Sequence, residues 1–356
     1  MLETYIFNFP MDPDRMIEVQ DLLRKNEVFL TNGSNAEDPY VIMDYLSSHV
    51  KVTAHIDRNI LSNVLAIAGG RRLPDEAGAK EVFQVSAACW AFLSSLEATF
   101  DPSISLHETG FNQSGEAALK EYESFRSALK VYPDLFAKIA TGELTSINVE
   151  LATEIEELPS GLTANNLESK IKHWKSSYVA LLKVAHLLRG EGQPESKVLS
   201  LANWMVDESI FNAFAMILGI LGFSNNPPKG VVSGLKTTNR DKLKKTLKNI
   251  SWDLTHIRHW SNACSGAPGD EIVLFCSLDK GLKTLASSAL RFTGEELRIG
   301  DIRDLFSTYW PKSGEGLANK ILEIEARLNS PNRGKVAEER MRGFDLAIKQ
   351  MESSLV

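Results

Sequence analysis

The chain has 356 residues, 43% of them hydrophobic and 24% charged, with a formal net charge of −7. These proportions suit a globular chain with room for two domains, or for one domain carrying a large insertion. No apolar run approaches the ~18 residues needed to span a bilayer, and an acidic chain argues against wholesale nonspecific binding to nucleic acid.

In chain order, TYIFNF (4–9) reads as a strand and PDRMIEVQDLLRKN (13–26) as a helix, with Met16, Ile17, Val19, Leu22 and Leu23 at helical spacing. The first residues lack a basic segment followed by a long apolar core, so no secretory leader is expected. VKVTAHID (50–57) is a strand with an acid at its carboxyl end. PDEAGAKEVFQVSAACWAFLSSLEA (74–98) is a Pro-initiated, Ala-rich helix, DPSISLHETG (101–110) leads from loop into helix, and 114–132 is an amphipathic helix. The stretch 133–225 reads as entirely helical. Within it, 163–190 forms one helix from an N-cap at Thr163 to a stop at Gly190, and 195–222 forms a second, largely buried one. Residues 240–264 are helical, 270–290 form strand, turn and helix, and the charged tail from 295 is helical with breaks at Pro311 and 329–334.

Cys89, Cys264 and Cys276 are odd in number and lack metal-ligand spacing, which points to a reducing cytoplasm. Basic residues concentrate in one place: Lys229, Lys236, Arg240, Lys242, Lys244, Lys245 and Lys248 are interrupted by one acid, Asp241. Such runs are commonly a solvated helix face. Their functional reading is a phosphate-contacting edge, to which Lys242, Lys244, Lys245 and Lys248 would contribute.

A strand, an acid at its end and a helix occur twice, at Asp57 and at Asp279. In open α/β sheets, ligands bind in the crevice outside the carboxyl ends of the strands, so both acids are expected at one edge. Glu108 lies at a helix start, and Asp253 lies on a helix three residues before His256. Taken singly, each acid is more often a cap or a solvated charge. Taken together, converging carboxylates need a divalent cation, and oxygen ligands suit Mg²⁺ or Mn²⁺. Paired ions of this kind activate water for phosphodiester cleavage. Of the seven histidines, His55, His107, His256 and His259 flank these acids. One reading is a His/Asp metallohydrolase with these histidines as ligands; no HxH or HxxxH pair supports it, which favours them as hydrogen-bond partners of the acids or of substrate phosphate.

HIDRNILSNVL resembles the opening motif of PIN-domain nucleases: an acid on the first strand, an Asn two residues later, then apolar helix positions. FDPSISLHETG is similar to the segment carrying that family's second acid. DLTHIRHWSNACSGAPGDEIVLFCSLDKGLKTLA (253–286) resembles its closing unit, with Ser277 two residues before Asp279. The resemblance implies a parallel sheet flanked by helices and a metal-binding, catalytic set of Asp57, Glu108, Asp253 and Asp279. Asn59, Ser277 and His256 would support that set. It also implies Mg²⁺- or Mn²⁺-dependent cleavage of nucleic acid, with RNA favoured over single-stranded DNA. The core would comprise 50–132 and 229–292, with a helical insertion at 133–228 and extensions at 1–49 and 293–356. No membrane partner is expected, and a homo-oligomer or an inhibitor protein stays open. An alternative is an inactive PIN-like scaffold that binds RNA or a protein, and another is a helical interaction protein with no metal site.

Overall fold

The computed structural model describes residues 10–31, 38–47, 50–148, 162–169, 171–232, 234–290, 299–329 and 333–355. The strand expected at 4–9 lies outside them. The chain divides into two compact units, Met1–Ser169 with Gly266–Leu278, and Lys170–Ser265 with Asp279–Val356.

The first unit is α/β. Its elements are α1 (Pro13–Asn26), β1 (Phe29–Leu30), α2 (Pro39–Ser47), β2 (Lys51–Ile56), α3 (Arg58–Ala68), α4 (Ala77–Ser95), β3 (Thr99–Asp101), α5 (Ser103–Asn112), α6 (Gly115–Leu129), α7 (Pro133–Thr141), α8 (Ala164–Glu168) and, much later in the chain, β4 (Glu271–Cys276). The strands make one small mixed sheet in the order β1-β4-β2-β3. β2 runs parallel to both β3 and β4, and the two-residue β1 closes the edge antiparallel to β4. Thus β2 and β4, the two strands that the sequence ends in acids, are direct neighbours, with Ile56 opposite Cys276. β4 is apolar and buried along its last four residues, the pattern of a strand covered on both faces.

The core gathers around α4. Phe83, Val85 and every residue from Ser86 to Leu93 are buried, and α4 packs most extensively against α7 and then against α1 and α3. Trp90 sits at its centre, stacked on Phe100 at 4.3 Å and edge-on to Phe125 at 5.9 Å. Residues 1–49, expected as an extension, instead supply buried α1 positions and β1 to this core. A second satellite cluster, Leu106, Ala118 and Leu167, joins α5, α6 and α8. There the backbones meet closely: a Cβ on Gly115 would stand 2.1 Å from the Ala164 carbonyl oxygen, and one on Gly110 would stand 2.4 Å from that of Leu167.

The second unit is helical among its described residues: α9 (Lys172–Arg189), α10 (Pro194–Asp207), α11 (Ala213–Phe223), α12 (Arg240–Gly266, its last residue returning to the first unit), α13 (Lys280–Leu290), α14 (Ile299–Tyr309), α15 (Gly314–Ala326), α16 (Arg333–Arg342) and α17 (Phe344–Ser353). α11 is buried from Ala215 to Phe223, which explains its unbroken apolar sequence. Trp310 donates its indole N–H to the Ile220 carbonyl at 2.9 Å.

The division falls elsewhere than the sequence boundaries suggest. The Lys-rich run, α12 and α13 belong to the helical unit and not to the α/β unit, while 133–148 and α8 belong to the α/β unit. Two long helices expected from periodicity are also each broken in two. Thr163 does cap α8, accepting from the Asn166 N–H at 3.2 Å, but Ser169 is extended and α9 starts afresh at Lys172. Likewise α10 ends at Asp207, where Arg340 donates to the Val206 carbonyl at 2.9 Å, and Asn212 caps α11 by accepting from the Ala215 N–H at 3.0 Å. A local polar cap outcompetes helical continuation at both places. The loop expected at 101–110 holds the end of β3, a strand too short for periodicity to reveal.

Truncating Trp90 to Ala removes the side chain around which Phe100, Phe125 and Phe136 pack, and should cost about 3–5 kcal/mol. Trp90→Phe should cost much less. Urea unfolding followed by circular dichroism measures both, and a Trp90→Ala loss below about 1 kcal/mol would refute the central position of this ring.

Candidate active site

The three parallel strands end at one edge of the sheet, and each delivers a polar residue there. Asp57 directly follows β2, Asp101 is the last residue of β3, and Ser277 directly follows β4.

Asp57 occupies the N-cap position of α3, yet its carboxylate makes no capping bond to that helix. Its backbone N–H donates to the Cys276 carbonyl at 3.0 Å, extending the β2–β4 ladder by one rung. Its side chain, only 3% exposed, accepts at Oδ2 from the Ser277 hydroxyl at 2.7 Å and from the Asn59 amide at 3.4 Å. Burying a carboxylate is costly unless hydrogen bonds replace water, and Ser277, itself fully buried, supplies the shorter of these bonds. Asn59 is exposed, so the group faces solvent on its side. Asp279 behaves differently. Its Oδ1 accepts from the Leu282 N–H at 2.9 Å, an ordinary N-cap of α13.

Glu108 projects from α5 in the same unit as Asp57. Burial raises its carboxyl pKa to about 7, the Arg58 charge opposes that rise, and the Asp57 and Glu121 charges add to it. Arg58, the residue after Asp57, donates through Nη1 to the Ser105 carbonyl and to Glu121 Oε1, both at 3.2 Å, and also to the Thr109 hydroxyl. Thr109 in turn donates to Glu121 Oε2 at 2.7 Å. This network ties α3, α5 and α6 together behind the carboxylates. Ser105 adds a bond to the Ile56 carbonyl at 3.0 Å, anchoring α5 to the end of β2.

Asp101 accepts from the Ser103 N–H at 2.9 Å and lies 3.3 Å from His55 Nδ1. His55 therefore stands beside the acid opposite it on β3, in register. The sequence did not single out Arg58, Asp101 or Glu121. Arg58 could have been found by its adjacency to Asp57. Asp101 and Glu121 carry no spacing signal, because a three-residue strand and a helix register bring them in.

Of the expected carboxylate set, Asp57 and Glu108 fall in the first unit together with Asn59 and Ser277. Asp253, Asp279 and the buried His256 fall in the second. Within the first unit, among the described residues, no third His, Cys, Asp or Glu joins Asp57 and Glu108 in a group whose ligand atoms all lie within 4.8 Å of one another. The four lysines lie on the first turns of α12 in the second unit: Lys242, Lys245 and Lys248 are exposed, and Lys244 is ion-paired to Glu352 at 2.8 Å. No helix among the described residues is long and apolar enough to cross a membrane. Compared with known protein families, curated proteins and solved structures, the chain matches none.

A carboxyl with a raised folded pKa binds its proton more tightly folded than unfolded, so its stabilising contribution is lost as pH rises through that value. Relative to Glu108→Gln, the wild type should therefore lose stability between pH 4.5 and about 7, ending on the order of 2–3 kcal/mol behind at pH 8. Melting temperatures of both proteins from pH 4 to 8 test this, and parallel curves would contradict it.

Proposed function

We propose that the α/β unit is a Mg²⁺- or Mn²⁺-dependent phosphodiester hydrolase of PIN-like design, acting on RNA in preference to single-stranded DNA. The observation carrying this reading is Asp57: a buried carboxylate at the carboxyl end of a central parallel strand, at a helix N-cap position, yet spent on no cap and held instead by Ser277 and Asn59. The order acid, Asn, Glu and Ser along β2, α3, α5 and β4 supports the family resemblance.

Asp57 and Glu108 would hold the cation. The donor chemistry fits: two carboxylates whose like charges disfavour joint ionisation are relieved by a divalent ion. Bound there, the ion would supply Lewis acidity toward water and phosphodiester. The chain's own residues prepare that place. Ser277 and Asn59 fix the rotamer of Asp57, and bonds of this supporting type typically tune affinity or activity by 10–100-fold. Arg58 offsets the acidic charge and, through Ser105, Thr109 and Glu121, fixes the helix that carries Glu108. Exposed Asn59 leaves an open side for an extended strand to approach.

The test uses labelled single-stranded RNA, single-stranded DNA and duplex DNA, with Mn²⁺ or with chelator. Asp57→Asn and Glu108→Gln should each lower metal-dependent cleavage by about 100-fold or more, and Ser277→Ala by about 10-fold, with RNA cut fastest. Asp253→Asn and Asp279→Asn are assayed beside them: retained cleavage in both would confine the reaction to the carboxylates of the first unit. Failure of the wild type to cut any of the three substrates, or full activity of Asp57→Asn, would overturn the proposal.

A further inference from the structure

In the helical unit, one anion already sits among convergent donors. Glu352, on the last helix α17, accepts from the Tyr178 hydroxyl at 2.7 Å through Oε1 and from Lys244 Nζ at 2.8 Å through Oε2. Its backbone carbonyl accepts from Arg240 at 2.5 Å. Burial alone would raise the Glu352 carboxyl pKa, but Lys244, Tyr178 and the nearby Lys248 outweigh it and hold the group below its ordinary value. Two turns away, near the other end of α17, Asp345 pairs with Lys175 of α9 at 2.9 Å.

Arg240, Lys244 and Lys248 are i, i+4, i+8 on α12, a single stripe with about 6 Å between successive positions. Arg240 and Lys244 bond Glu352, and Lys248 acts on it through charge. Lys242 and Lys245 are exposed on other faces of α12, and Asp241 is the only acid in the run from Lys229 to Lys248. Tyr178 is fully buried, its ring stacked on Trp174 at 5.1 Å, so its hydroxyl is a fixed donor and not a mobile surface group. Within α17 only Phe344 is fully buried and Leu346 is 62% exposed; the helix packs along α9, and these polar bonds add to that hold.

We propose that the basic stripe of α12, with Tyr178, is a docking surface for the phosphate backbone of a nucleic-acid strand, and that α17 occupies it as a resident, displaceable anion. A row of cations one helical turn apart meets successive anions along a strand, and Glu352 fills one such place from within the chain. The choice of phosphate rests on the reading of this chain as a phosphodiester hydrolase. The surface is tested by binding and not by cleavage, so failure of one leaves the other distinguishable. Displacement of α17 sets a coupling: whatever weakens its hold without removing a cation of the stripe should tighten the strand, and the strand should loosen α17.

The experiment titrates the full chain with a fluorescent single-stranded oligonucleotide in chelator, so that nothing is cut, and repeats it with Glu352→Gln, Asp345→Asn and Lys244→Gln. Glu352→Gln should bind about 10-fold more tightly than wild type, Asp345→Asn more tightly by a smaller factor, and Lys244→Gln more weakly with a shallower salt dependence. Hydrogen exchange on the unaltered chain provides the second readout: saturating oligonucleotide should speed amide exchange in 344–355. Unchanged affinity in Glu352→Gln together with unchanged exchange in 344–355 would overturn the proposal. So would no binding by any variant, or a polyglutamate peptide of equal charge binding more tightly than the oligonucleotide.

Discussion

A carboxylate buried at the end of a parallel strand is the constraint on which the α/β unit turns. Asp57 cannot be left without hydrogen bonds at 3% exposure, and a 2.7 Å bond to it comes from Ser277, 220 positions away. The pairing of β2 with β4 is therefore both a sheet ladder and a way of bringing Ser277 to Asp57. Separation of these strands would break backbone pairing and strand a buried charge at the same time. That double cost makes the position rigid, as a ligand-holding group requires.

The rest of the unit supports this edge. α4 is buried over its second half, and Trp90 joins that helix to β3 through Phe100 and to α6 through Phe125. α5 is then held twice, by Ser105 at the end of β2 and by Arg58 through Ser105, Thr109 and Glu121. Glu108 is thus presented from a helix whose position is tied to the strand that carries Asp57. The helical unit follows a different logic, with an apolar α11 at its centre and a polar fastening of its last helix by Glu352.

Much of this was legible in the sequence. β2 and β4 were readable because apolar runs ending in an acid or a small polar residue have few alternatives. α1, α4 and α12 were readable as helices. The sequence placed the ends of both strands at one edge, but that β2 and β4 are direct neighbours came only from the structure. The breaks at Ser169 and Asn212 were missed because a cap's strength depends on partners that periodicity does not reveal, such as Arg340 for α10. Asp57 and Asp279 show the same limit at the site. Both are acids between strand and helix, and sequence treats them alike. Only coordinates separate the carboxylate held by Ser277 from the one that caps its own helix. The division of the chain was also out of reach, since it depends on which helices share a core and not on any Pro- or Gly-rich linker.

The central claim is that Asp57 holds a divalent cation, and Mn²⁺ titration followed by electron paramagnetic resonance tests it without reference to any substrate. The wild type should deplete the free Mn²⁺ signal saturably, with Mg²⁺ competing. Asp57→Asn should lose that depletion while keeping the wild-type circular dichroism and a melting temperature at least as high, because removing one of two neighbouring negative charges relieves repulsion. Equal Mn²⁺ depletion by both proteins, or none by either, would contradict a metal site at this sheet edge.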